Sequence, residues 1–154
     1  MKLQKNTELA LCSVLEFAGA PQRQISAGEI AAKYGASPHH LAKVLAQLAR
    51  SGIVTSARGA GGGYRFAANA KRLTLLDIIQ MFEKVTHPAV AQNTDRAACT
   101  PVESALGAVF AEIDANAKAT LSSITQTTML RLIDRRKEDG PPILALEHSD
   151  LPER

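Results

Sequence analysis

Apolar residues recur along the chain first with the period of a helix, then with that of a strand, then of a helix again. Over residues 3–18, Leu3, Thr7, Leu11, Val14, Leu15 and Ala18 follow one another at three- and four-residue steps, which predicts a helix with one buried face. Gly19 and Pro21 stop it. Ser26 with Glu29 three residues later forms a capping box, so a short second helix is predicted to run to about Lys33. Tyr34-Gly35-Ala36 makes a tight turn, Ser37 stands at the cap position and Pro38 suits the first helical place. Leu41, Val44, Leu45 and Leu48 then give a third helix one apolar stripe, ending near Ser51 and Gly52. Two helices joined by a short glycine-containing turn, the second carrying basic residues, form a helix-turn-helix pattern.

After Gly52 the pattern changes. Residues 53–57 and 64–67 are short β-prone runs on either side of the glycine-rich segment 58–63, which predicts a hairpin. Its glycines let the loop backbone approach another surface closely, and Arg58 and Arg65 flank it. Beside a helix-turn-helix such a hairpin is a wing. The rival reading, a phosphate-cradling nucleotide loop, lacks the Gly-Lys-Ser/Thr ending and does not run into a helix.

Helical spacing resumes over residues 73–84 through Leu75, Leu76, Ile79 and Phe82, with Thr74 or its neighbour as cap. Residues 85–100 have no sustained period and read as a loop. From Pro101 onward Val102, Leu106, Val109, Ile113 and Ala117 step by four and three, predicting an exposed helix whose seam finds no partner within the winged unit and is expected to pair with a second copy. Residues 121–136 extend or follow it as a helix, until Asp139-Gly140-Pro141-Pro142 ends helix formation and leaves a loose tail. The expected fold is mainly α with a small β-hairpin wing. It divides into a winged helix-turn-helix DNA-binding domain (1–84), a loop with dimerisation helices (85–136) and a tail (137–154).

Composition sets the class. The 154 residues are 45% hydrophobic and 21% charged, enough apolar material for one soluble globular domain. No apolar run approaches the 18 or so residues of a membrane span, and no secretory leader or lipidation box is seen, so the expected location is the cytoplasm, away from membranes. The net charge of +3 is unevenly spread. Residues 1–72 hold ten Lys and Arg against three acids, a net of +7, and residues 73–154 hold eight against twelve, a net of −4. No acid falls between Glu29 and Asp77. A polyanion is the expected partner of the first half, and double-stranded DNA fits the helix-turn-helix. Ser37, His39, His40 and Lys43 stand on the first turns of the third helix, where side chains reach phosphates and base edges. Arg58, Gly59, Gly61, Gly62 and Arg65 belong to the wing. Lys71 and Arg72 are read as backbone contacts or solvent-facing residues, and Tyr64 as half-buried core. The four histidines are scattered, and no nucleophile-base pair or metal-ligand spacing emerges, so an enzyme is not expected. A winged-helix module that docks another protein without binding DNA stays open as an alternative.

The residues that carry the wing also carry a likeness. His40-Leu41-Ala42-Lys43-Val44-Leu45 with Leu48, then Ser51-Gly52-Ile53-Val54, then Arg58-Gly59-Ala60-Gly61-Gly62-Gly63-Tyr64 leading to Leu73-Thr74-Leu75-Leu76-Asp77-Ile78, resemble the Rrf2 family of bacterial winged-helix transcription regulators across residues 1–84, and more loosely to about residue 137. The resemblance implies a homodimer on a two-fold operator, with the third helix in the major groove and the wing in or beside the minor groove. It also raises the question of a sensor. Cluster-bearing members of the family place three cysteines in the loop before the dimerisation helix, whereas this chain has only Cys99 there and Cys12 in the first helix. An iron–sulfur cluster then requires non-cysteine ligands, for which Glu8, His87 and Asp95 are candidates beside Cys12 and Cys99. Two other readings stand beside it: Cys99 as an oxidisable thiol, alone or paired with Cys12, or both cysteines as packing residues with no cofactor and an unknown effector.

Overall fold

The computed structural model describes residues 3–57, 62–85 and 100–138. The wing-tip residues Arg58, Gly59 and Gly61, the loop residues His87, Asp95 and Cys99, and the tail lie outside them.

Helix α1 (Lys5–Gly19) buries Thr7, Leu9, Ala10, Ser13, Val14, Phe17 and Ala18. The stripe is rotated from the one the apolar spacing predicts, because Ser13 enters the core by donating its hydroxyl to the Leu9 carbonyl at 2.6 Å while Leu11 and Leu15 stay half-buried. Helix α2 (Ala27–Lys33) starts on the expected capping box. The Glu29 main-chain N–H donates to Ser26 Oγ at 3.2 Å and the Ser26 N–H donates to Glu29 Oε2 at 2.9 Å, so two otherwise free donors at the helix start are satisfied.

Helix α3 (Pro38–Arg50) follows a turn in which Gly35 takes a φ of 59°, a conformation costly for a side chain bearing Cβ. Ser37 takes the expected N-cap position with extended backbone. Its hydroxyl makes no capping bond and remains on the surface, since Pro38 removes one free donor and sets the helical φ by itself. Leu41, Val44, Leu45 and Leu48 are buried as the stripe predicts. With Phe17, Ile30, Val54 and Ile78 they form the centre of the core. Gly52, at a φ of 71°, turns the chain out of α3.

Strands β1 (Val54–Ala57) and β2 (Gly63–Phe66) pair antiparallel with Val54 opposite Phe66 and Ala57 opposite Gly63. The wing has a third member that the sequence pattern does not reveal. Ile25, just before α2, donates its N–H to the Tyr64 carbonyl at 3.0 Å and accepts the Tyr64 N–H at 2.8 Å. Tyr64 faces inward as expected, its ring centroid 6.3 Å from that of Phe17.

Helix α4 (Leu75–Phe82) is capped by Thr74 and Asp77. Gln47 of α3 donates to the Met81 carbonyl at 2.5 Å, tying the two helices together. Helix α5 (Pro101–Ser123) begins on a further capping box, Thr100 with Glu103, and the chain breaks at Ile124 before α6 (Gln126–Glu138). The two helices read from sequence as one arm behave differently. Helix α5 presents Val102 (68% exposed), Leu106 (51%), Val109 (55%) and Ile113 (55%) to solvent. Helix α6 returns to pack on α1, with the Leu130 Cδ2 methyl 3.4 Å from the place a Cβ on Gly19 would take. The joint between α5 and α6 is fastened to the segment joining the wing to α4 by main-chain bonds, from the Leu75 N–H to the Ile124 carbonyl (2.9 Å), from the Gln126 N–H to the Leu73 carbonyl (2.9 Å) and from the Thr127 N–H to the Ala70 carbonyl (3.0 Å). Gln126 is fully buried at this joint, and neither amide atom of its side chain has a hydrogen-bond partner among the described residues. No helix among the described residues is long and apolar enough to cross a membrane.

Candidate nucleic-acid interface

Burying one stripe of α3 in the core leaves the other outside. Ser37, His39 and Lys43 are exposed on it, and the four-residue step from His39 to Lys43 puts these two on one face. His40 differs from its neighbour: it is half-buried and its Nε2 is shielded from solvent, with no hydrogen-bond partner among the described residues. Arg50, also exposed, continues the basic character at the end of the helix. The helix is held from behind by Leu41, Val44, Leu45 and Leu48 and at its end by the Gln47 bond to Met81, so its outer side chains stand on a rigid element.

The wing adjoins it through the Gly52 turn, and α3 packs against β1. Along β2 the side chains alternate, so with Tyr64 turned toward Phe17 the next residue, Arg65, faces away and is exposed. Gly62 precedes the strand and is half-buried. Lys71 and Arg72 are exposed in the turn after the wing. Acids are absent from this stretch of sequence; of the two that bound it, Glu29 is occupied by Ser26 and by Arg23, whose Nη2 lies 2.5 Å away, and Asp77 by Thr74. The arrangement is a rigid helix face and a hairpin that both present cations and hydrogen-bonding groups, which suits a regularly spaced array of phosphates.

The sensor candidates are less assembled. Glu8 is exposed and Cys12 half-buried one helical turn further along α1. Burial pushes the Cys12 thiol up, and the carboxylates of Glu16 and Glu8 push it further, so near neutral pH it is held protonated, the form that neither binds metal nor attacks an oxidant. Glu16 is engaged elsewhere, accepting from Lys33 Nζ at 2.6 Å and from the Tyr34 hydroxyl at 2.5 Å. Those bonds outweigh partial burial and hold its carboxyl below the usual range, while burial and the same carboxylate push the Tyr34 hydroxyl well up. No group of three or more His, Cys, Asp and Glu among the described residues is placed to hold a metal. An iron–sulfur cluster takes about four ligands, mostly thiolates. Among the described residues Cys12 is the one thiol, and the other candidate ligands Cys99, His87 and Asp95 lie outside them.

A mainly helical chain with a two-stranded wing on a helix-turn-helix is a winged-helix protein. The family model described as Rrf2, iron-dependent transcriptional regulator, matches residues 3–132, and the chain belongs to that family. It is 47% identical over 154 residues to a protein of Rhodopseudomonas palustris named as an HTH-type transcriptional regulator, BadM, covering 97% of this chain and 96% of the relative. Its fold is like that of IscR from T. potens, at 23% identity and a TM-score of 0.70 over 94% of this chain and 96% of that one. It is also like that of CymR, the global cysteine regulator of B. subtilis, at 24% identity and a TM-score of 0.69 over 86% and 98%. The protein is thus a transcriptional regulator rather than an enzyme.

Proposed function

We propose that this regulator works in the cytoplasm as a homodimer that binds a two-fold DNA operator and represses by occupying it, with Ser37, His39 and Lys43 of α3 entering the major groove and Arg65, together with Arg58 and the wing glycines Gly59, Gly61 and Gly62, meeting the adjacent minor groove or its phosphates. The observation that carries this reading is the exposed polar and basic face of α3 beside the outward Arg65, within a stretch of sequence free of acids. The apolar row on α5 supplies the surface for the second copy, and two copies supply two recognition helices.

An operator selected from a random-core duplex library tests it. Lys43→Ala is expected to weaken binding of the selected duplex by about tenfold, and the logarithm of the wild-type affinity is expected to fall steeply and linearly with the logarithm of salt. A protein-docking module would select no duplex and show neither effect.

The reading extends to a redox response through the Cys99 thiol, since the other cysteine, Cys12, is half-buried in α1. Peroxide is expected to change operator binding by the wild type and by Cys12→Ala, and to leave Cys99→Ala unaffected. Operator binding that peroxide leaves unchanged in the wild type removes the thiol from the mechanism and leaves an unidentified effector.

A further inference from the structure

The glycine run of the wing ends at Gly63, and this last glycine has a role different from that of a flexible loop residue. Its φ is not in the left-handed region; the described residues with positive φ are Gly35 and Gly52. What Gly63 lacks is room. A Cβ there would lie 2.6 Å from the Ile25 carbonyl oxygen, 2.9 Å from its carbonyl carbon and 3.1 Å from the Ser26 nitrogen. All three are main-chain atoms, so no side-chain rotation relieves the contact. They belong to the start of α2, which is itself held by the Ser26–Glu29 capping box and the Arg23–Glu29 ion pair.

Two strands alone make a marginal sheet. Here β2 has β1 on one side and Ile25 on the other, joined by the pair of bonds between Ile25 and Tyr64. The Tyr64 N–H is spent on Ile25 rather than on β1, so the seam between wing and helix-turn-helix is separate from the hairpin's own ladder.

We propose that Gly63 is a positioning residue for DNA binding: by leaving space for the Ile25 and Ser26 main chain it seats the wing on the first turn of α2 and fixes the direction in which Arg65 is presented relative to α3. This rests on the DNA-binding reading above. A methyl group at position 63 forces β2 away from Ile25 and redirects Arg65, while Phe17 and the core below Tyr64 are left in place.

Gly63→Ala is expected to keep its helical circular dichroism and to bind the selected duplex about tenfold more weakly, the loss expected from one misplaced arginine contact. A purely structural defect does not predict how that loss combines with others. Gly63→Ala together with Arg65→Ala is expected to bind no more than about twofold more weakly than Arg65→Ala alone, whereas with Lys43→Ala the losses multiply, as they do for independent sites. Replacing the Tyr64 amide by an ester, which deletes the N–H given to Ile25 and keeps the ring, is expected to reproduce the Gly63→Ala loss and decides the matter if Gly63→Ala does not fold. Wild-type affinity in both junction variants, or a Gly63→Ala loss that multiplies in full with that of Arg65→Ala, overturns the proposal. Unchanged binding by Arg65→Ala alone overturns the role of Arg65 on DNA, and the positioning role of Gly63 with it.

Discussion

With Asp in place of both Leu106 and Ile113, the protein is expected to sediment as a monomer, to keep its helical content and to bind a two-fold operator about 100-fold more weakly or worse. Both side chains are more than half exposed in the single chain, so the substitutions leave the subunit's buried core untouched. Together with Val102 and Val109 they form a row at four- and three-residue steps along a helix of 23 residues, about 35 Å long at the usual rise. Such a row in water is a seam without its partner. Two carboxylates at its centre would face their counterparts across the two-fold axis and would have to be desolvated together. The loss in DNA binding follows because one recognition helix reads one half-site, and the second half-site is bound at high effective concentration only while the copies are joined. Analytical ultracentrifugation with titration of the selected duplex checks both parts. A variant that stays dimeric excludes this face as the interface, and one that becomes monomeric with undiminished affinity excludes the two-fold operator.

Gln126→Leu is expected to stabilise the fold by about 2 kcal/mol, because a buried amide without partners costs about 1–3 kcal/mol and leucine fills a similar volume. For a chain of this size that raises the melting temperature by about 4–8 °C. The backbone N–H of residue 126 still bonds to the Leu73 carbonyl, so the joint survives the change. Thermal unfolding followed by circular dichroism is the measurement. An unchanged or lower melting temperature means that a buried water or a local rearrangement satisfies the glutamine in solution.

Much of the fold was legible because its signals are local. Ser26 with Glu29 and the Thr74 cap mark helix starts by chemistry that operates within one turn, and both form, Thr74 in a box with Asp77. The α3 stripe and the exposed row on α5 follow from spacing alone, and they orient the two surfaces that the proposed function uses. The illegible features are those set by tertiary partners. The single residue Ile25 pairs with a strand without any strand-like period around it. The break between α5 and α6 falls at Ile124, with neither glycine nor proline to announce it. Gln126 is buried, although glutamine is mostly exposed in proteins. Gly63 could have been suspected from the run of glycines, yet its reason, the Ile25 carbonyl, becomes visible only in three dimensions. For the sensor the residue types were legible, but the raised Cys12 thiol depends on its burial beside Glu8 and Glu16.

The fastening of the α5–α6 joint to the wing-to-α4 segment is made by backbone groups, which every residue except proline carries. In the proposed homodimer the α5 helices set the two subunits against each other, and this joint passes their orientation to the DNA-reading units. The separation of the two half-sites is therefore built into peptide geometry more than into side-chain identity. Substitutions at the residues proposed to read bases are therefore expected to change which operator sequence is bound and to leave the distance between its half-sites unchanged.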